Sequence, residues 1–97
     1  MKTSDEIKKI LKDNKEDLNS RFNVKTIGIF GSYAREENDE ISDLDILVEF
    51  HTPIDYFEFL ELEDHLSQLT GIKVDLVEKL SLKPFIGRHI IQEAIMI

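Results

Sequence analysis

The sequence predicts an α+β fold, in which a small mixed β-sheet is covered by helices. Strand-like and helix-like segments alternate along the chain, in an α/β-like order, and such alternation requires helices on at least one side of the sheet. The first two strands are joined by a short polar link with no room for a long helix, which permits an antiparallel pair. With 97 residues, 41% apolar and 33% charged, the chain is expected to form one globular domain over residues 1–97.

The N-terminal half begins with a helix and a strand. Thr3 and Glu6 form a capping-box pair, and apolar residues then recur at helical spacing, which predicts a helix over residues 4–21. The β-branched and aromatic residues 24–30 predict a strand that ends at Gly31. A short helix is expected to begin at Ser32.

Residues 43–50 alternate clearly and predict a second strand. One face carries apolar side chains, and the other carries Asp43, Asp45, Leu47 and Glu49. A helix over residues 55–69 comes next, ended by Gly71, and then a third strand over residues 73–77. Further along the chain, Pro84 opens a last helix, which reaches residue 94.

The apolar tail Ile95-Met96-Ile97 has two interpretations. It docks on the sheet, or it belongs to an oligomer or partner interface. Both alternatives stay open at this point, and the second allows a homo-oligomer.

The charge balance excludes several classes of function. The formal net charge is −8, from 12 basic and 20 acidic residues, and the lysines of the first helix are interleaved with acids, which indicates a solvated helix face. We therefore expect no direct nucleic-acid partner, because gripping a phosphate backbone usually requires a basic stripe. No window approaches the roughly 18 apolar residues of a membrane span, and the first residues lack the order of a secretory signal. Cysteine is absent, and a cytoplasmic location is expected.

Three carboxylates make the strongest case for chemistry. Asp43 and Asp45 are two apart in a predicted strand, so both face one side with Cα atoms about 6.6 Å apart. Such a pair repels by roughly 2–4 kcal/mol at a protein-surface dielectric, which favours a divalent cation between them, and Mg²⁺ suits carboxylates combined with substrate phosphates. If the third strand neighbours the second, Asp75 supplies a third acid. Three acids suit two ions in a phosphoryl displacement, and the third acid can also accept a proton.

The turn at Gly31-Ser32 suits a phosphate. A glycine lets the backbone come close to an anion, amides at a helix start favour negative charge, and the Ser32 hydroxyl can donate a hydrogen bond. Arg35, one turn later, meets a phosphate or holds one of the acids, and the sequence leaves both roles open.

Taken together, these residues resemble a known signature. Gly31-Ser32-Tyr33-Ala34-Arg35 followed by Ser42-Asp43-Leu44-Asp45 is similar to the Gly-Ser-x10-Asp-x-Asp pattern of the DNA polymerase β-like nucleotidyltransferases. The length, the third acid Asp75 and the closing residues 90–95 resemble the minimal nucleotidyltransferases that act as antitoxins of HEPN-domain proteins.

The resemblance implies a nucleotidyltransferase fold and transfer of AMP from ATP to a protein hydroxyl, with Asp43, Asp45 and Asp75 binding Mg²⁺ and Gly31 and Ser32 holding the triphosphate. It also implies the partner, a HEPN toxin modified on tyrosine, since a chain this short offers no second domain for an acceptor. Two alternatives remain: an antitoxin that acts by binding alone, and a stand-alone small-molecule nucleotidyltransferase. One departure is Glu36, where family members often have glycine, and it puts the rate of catalysis in question more than the fold.

Overall fold

The computed structural model describes residues 2–97, so Met1 of the predicted domain lies outside the described residues. The helices are α1 (Ser4–Asp13), α2 (Lys15–Phe22), α3 (Gly31–Ala34), α4 (Tyr56–Thr70) and α5 (Pro84–Glu93), with a 3₁₀ turn at Lys79–Ser81. The strands are β1 (Val24–Phe30), β2 (Leu44–Phe50), β3 (Val74–Glu78) and β4 (Ile95–Met96). Apart from the first helix, the predicted element types are confirmed, with ends shifted by a residue or two, whereas β4 and the 3₁₀ turn were not predicted.

The four strands form one mixed sheet in the order β3-β2-β1-β4. β1 pairs antiparallel with both β2 and β4, whereas β2 and β3 run parallel because α4 carries the chain back between them. The predicted antiparallel β1–β2 pair and the mixed sheet are thus confirmed.

The core lies on one face of this sheet, beneath α1, α2 and α4. Its centre is made of side chains that are fully buried: Ile7, Leu11, Leu18, Ile27, Ile29, Leu44, Ile46, Val48, Leu62 and Leu66. The alternation predicted for β2 is therefore confirmed for its apolar face. None of the helices within residues 2–97 combines the length and the apolar character needed to cross a bilayer.

One prediction of local structure was wrong. The single helix over residues 4–21 is interrupted at Asn14, whose φ of −104° and ψ of 5° separate α1 from α2. The Asn14 side chain donates to the Ile10 carbonyl at 2.7 Å, beside the bond from its own amide, as asparagine often does at a helix end.

Leu47 lies on the Asp45 face of β2, as predicted, and is only 2% exposed. A small cavity beside it is lined by Ile91 and Met96, so α5 and the tail cover part of that second face.

The apolar tail docks on the sheet. Ile95 and Met96 form β4 against β1, and the Ile97 amide donates to the Ile27 carbonyl at 2.9 Å. Of the two interpretations of the tail, docking is the one found in the structure.

Candidate active site

Asp45 stands near the start of β2, and its strand neighbours bring the predicted site together. Its register partner on one side is Phe30, the last residue of β1, and on the other side it is Asp75 of β3. Adjacent strands lie about 4.8 Å apart and paired residues point to the same face. The condition that the sequence left open, that the third strand neighbours the second, is met, so the Asp45 and Asp75 carboxylates share one face.

The surroundings of Asp45 disfavour its negative charge. Partial burial raises the pKa of its carboxyl, and the charges of Asp75 and Asp43 raise it further, while Arg35 acts in the opposite direction. A carboxyl with a raised pKa stabilises the fold at a pH below its unfolded pKa, and this contribution is lost as the pH rises through the folded pKa. Ionised Asp45 therefore weakens the fold near neutral pH, and a cation at the site would offset this cost.

Asp43 lies just outside the strand in which it was predicted, because β2 begins at Leu44. It is exposed and lines a surface cavity of about 620 Å³, whose wall also contains Lys2, Tyr33 and Lys73. Asp45, Asp75, Gly31 and Ser32 are not among the lining residues, so this cavity touches the predicted site only at Asp43.

The acids do not form a closed metal cage. Within residues 2–97, no group of three or more His, Cys, Asp or Glu side chains converges as metal ligands do. This donor set still fits Mg²⁺, which usually takes one or two carboxylates and completes its octahedron with water and substrate phosphates. Asp45, with Asp43 and Asp75 near it, would supply the carboxylate ligands that Mg²⁺ takes from the protein.

Gly31 is required at its position by two features of the turn after β1. Its φ of +70° lies in the left-handed region, which costs a residue with a Cβ about 1–2 kcal/mol. A Cβ built at Gly31 would also lie 2.1 Å from Asp45 Oδ2. The sequence predicts that the Gly31 backbone comes close to a phosphate. In the structure it comes close to the Asp45 carboxylate, and the phosphate contact stays a prediction. Ser32 is next in the chain, half-buried, in the first turn of α3.

Arg35 is held by two acids. Its Nε donates to Glu37 Oε2 at 3.0 Å, and its Nη1 contacts Glu93 Oε1. The sequence left open whether Arg35 contacts a phosphate or holds one of the acids. In the structure it holds acids, although these are Glu37 and Glu93 rather than the predicted aspartates. A phosphate contact by Arg35 stays a prediction.

Glu93 is a site residue that sequence reasoning missed. It is the last residue of α5, and its Oε2 accepts the Gly31 amide hydrogen at an N–O distance of 3.0 Å. Hydrogen bonds from Arg35 and from that amide lower the pKa of the Glu93 carboxyl. Because Gly31 and Glu93 are 62 residues apart in the chain, nothing in the local sequence distinguishes Glu93 from a solvated helical glutamate.

Glu36 occupies a position that favours glycine. Its φ is +59°, which explains in physical terms why a glycine suits this point of the loop.

We expect Glu36→Gly to stabilise the protein by up to about 1 kcal/mol, because relief of the left-handed strain exceeds the entropy that glycine loses on folding. Urea unfolding measures the change. Glu40→Gly is the matched control, since Glu40 is an exposed glutamate of the same loop without a positive φ, and this variant should lose stability. A loss of stability in both variants would contradict the strain argument.

Comparison with known proteins identifies relatives over the whole described fold. A family model described as "Nucleotidyltransferase domain" matches residues 5–97. The chain is 54% identical over 98 aligned residues to a provisionally named protein adenylyltransferase of Methanocaldococcus jannaschii, with 100% of both chains covered. It is 45% identical to protein adenylyltransferase MntA of Thermococcus cleftensis, covering 100% of this chain and 98% of that protein.

Two solved structures share the fold and were determined in toxin–antitoxin complexes. One, a toxin–antitoxin with AMP-PNP, superposes with a TM-score of 0.71 at 26% identity, covering 96% of this chain and 70% of the other. The second is a tri-AMPylated Shewanella oneidensis HEPN toxin in complex with its MNT antitoxin. It matches with a TM-score of 0.62 at 25% identity, covering 96% of this chain and 66% of that one.

Proposed function

Because the chain belongs to the nucleotidyltransferase domain family, we propose that it transfers AMP from ATP to a hydroxyl group of a HEPN-domain toxin and so acts as an antitoxin. The proposal is supported by the names of its relatives and by the complexes in which its structural neighbours were found. A tyrosine of the toxin is the acceptor that we propose.

The observation that carries the proposal is the register of the sheet. It puts Asp45 beside Asp75 on one side and beside Phe30, the end of β1, on the other. Gly31, directly after Phe30, then packs against Asp45. Residues from three separate segments thus meet at Asp45, where two paired carboxylates lie next to the Gly31 turn.

Each residue of the site has a proposed role. Asp43 and Asp45 hold Mg²⁺, with Asp75 as a third acid for a second ion, and the bound metal offsets the negative charge that builds up on the triphosphate. Gly31 and Ser32 hold the triphosphate. Arg35 contacts a phosphate once it exchanges one of its two acids.

In the transfer itself, the tyrosine oxygen attacks the α-phosphorus of ATP. A bond forms between that oxygen and phosphorus, and the bond between the α-phosphorus and the bridging oxygen breaks, so that pyrophosphate leaves. The hydroxyl proton passes to Asp75, whose exposed position on β3 suits a general base.

α5 is mostly exposed and the second face of the sheet is only partly covered, so this face is open to an acceptor. We propose that residues 1–97 act as one nucleotidyltransferase domain and that the toxin itself brings the hydroxyl to this face. We propose that the protein acts in the cytoplasm, because ATP is available there.

The test is a transfer assay. The protein is incubated with ATP labelled in the α-phosphate, Mg²⁺ and a folded HEPN toxin from the same organism, and label on the toxin is measured after electrophoresis. We expect labelled toxin, loss of the label when EDTA is added, and loss of the toxin's activity after transfer.

The matched control is ATP labelled in the γ-phosphate, which should leave the toxin unlabelled because pyrophosphate departs. Toxin that is folded and bound but stays unlabelled would overturn the proposal. Turnover of a small-molecule nucleophile without any toxin would instead favour the stand-alone alternative.

A further inference from the structure

The Glu93 carboxylate contacts both ends of the Gly31–Arg35 turn, which follows β1. Glu93 accepts the amide hydrogen of Gly31 at 3.0 Å with one oxygen and contacts the Arg35 guanidinium with the other. Its side chain is only 28% exposed, so these contacts are partly shielded from water. A charge-assisted bond in such a place is stronger and more directional than an ordinary surface contact.

The Gly31–Arg35 turn, which Glu93 contacts, also packs against Asp45. A Cβ at Gly31 would collide with the Asp45 carboxylate, so the Gly31 backbone sets where that carboxylate lies. A displacement of Glu93 would therefore be transmitted to Asp45 through the Gly31–Arg35 turn that it holds.

Glu93 is anchored more firmly by strand β4 than by its own helix. Within the described chain, Gly87 is the only buried residue of α5, and no residue of α5 belongs to the core cluster. In contrast, β4 begins two residues after Glu93 and pairs with Gly28 and Ile29, and the Ile97 carbonyl accepts a hydrogen bond from Lys15 at 2.9 Å.

We propose that Glu93 is a positioning residue, held by the docked C-terminal strand, which sets the Gly31–Arg35 turn against Asp45 for nucleotidyl transfer. This inference rests on the proposed function. Glu93 does not touch the reacting atoms, and its effect passes through Gly31 and Arg35. The apolar tail then has a role in the chemistry, because β4 anchors this carboxylate.

The test compares Glu93→Ala and Glu93→Gln with Glu37→Ala, in the transfer assay and at a temperature where all variants are folded. Glu93→Ala should lower kcat by roughly 10- to 100-fold, because a misplacement near 1 Å costs about that much. Glu93→Gln keeps an acceptor for the Gly31 amide but loses the charge for Arg35, so it should recover part of the rate. Glu37→Ala removes only the other Arg35 partner and should stay within about 3-fold of the wild type, as expected for an exposed pair.

A purely structural role predicts a different result. It would lower Tm in step with activity and leave the kcat of the folded fraction unchanged, and that result would overturn the proposal. An equal loss in Glu93→Ala and Glu37→Ala would overturn it as well.

A second measurement separates this inference from the proposed function. Binding of AMP-PNP with Mg²⁺, measured by calorimetry, requires no toxin and no turnover. If the wild type binds the analogue but transfers nothing to the toxin, the proposed function fails, and weaker binding by Glu93→Ala still supports the positioning role. Unchanged binding in that case would overturn it.

Discussion

Asp43→Asn combined with Asp45→Asn is expected to reduce AMP transfer by at least about a thousandfold, on the scale seen when a main electrostatic contact to the transition state is removed. Both amides keep the shape of the carboxylates but bind Mg²⁺ poorly, so the triphosphate loses its charge compensation. The label on the HEPN toxin at a fixed time measures the effect.

Misfolding is not expected to account for this loss. Ionised Asp45 is disfavoured by burial and by its acidic neighbours, so an uncharged amide should leave the free energy of unfolding equal or higher. Glu49→Gln is the matched control, since Glu49 lies on the same face of β2, half-buried and hydrogen-bonded to Thr26 at 3.2 Å, four residues from Asp45. It should transfer AMP normally. A doubly substituted protein that still neutralises the toxin would show that the antitoxin acts by binding alone.

The sequence predicts the acidic residues of the site because their spacing is local. Asp43 and Asp45 are two residues apart, and Asp75 sits in a short apolar segment whose strand character is visible from its neighbours. The one long-range step, that β3 lies beside β2, stays a condition in the sequence, because the helix between them permits a parallel crossover without fixing which strands are neighbours. The register that pairs Asp45 with Asp75 then completes the site.

The contacts of Glu93 could not be predicted in this way. They depend on how far α5 runs and on where β4 docks, and both are set by the tertiary packing of short segments. The same cause explains Leu47: its burial depends on the tail and α5, which no periodicity within β2 can report. Asn14 is a local case of the same kind: the apolar spacing continues across it, although its backbone leaves helical geometry and separates α1 from α2.

Gly31→Ala is expected to reduce transfer by about 100-fold, because a Cβ at this position must displace the Asp45 carboxylate or move the turn by about an ångström. The same change adds left-handed strain of about 1–2 kcal/mol, so the free energy of unfolding should fall as well. Steady-state transfer rates and urea unfolding measure the two effects separately.

Gly71→Ala separates strain from geometry. Gly71 has nearly the same φ, +71°, but a Cβ there would meet only Lys2 Nζ at 3.4 Å, an ordinary contact with the end of a flexible side chain. Both variants should lose the stability that the left-handed strain costs, with any further loss confined to Gly31→Ala, and only Gly31→Ala should lose activity. Equal activities in the two variants would mean that Gly31 is needed only for the left-handed backbone conformation of the turn. Asp45 would then be positioned by its strand neighbours rather than by the close approach of this glycine.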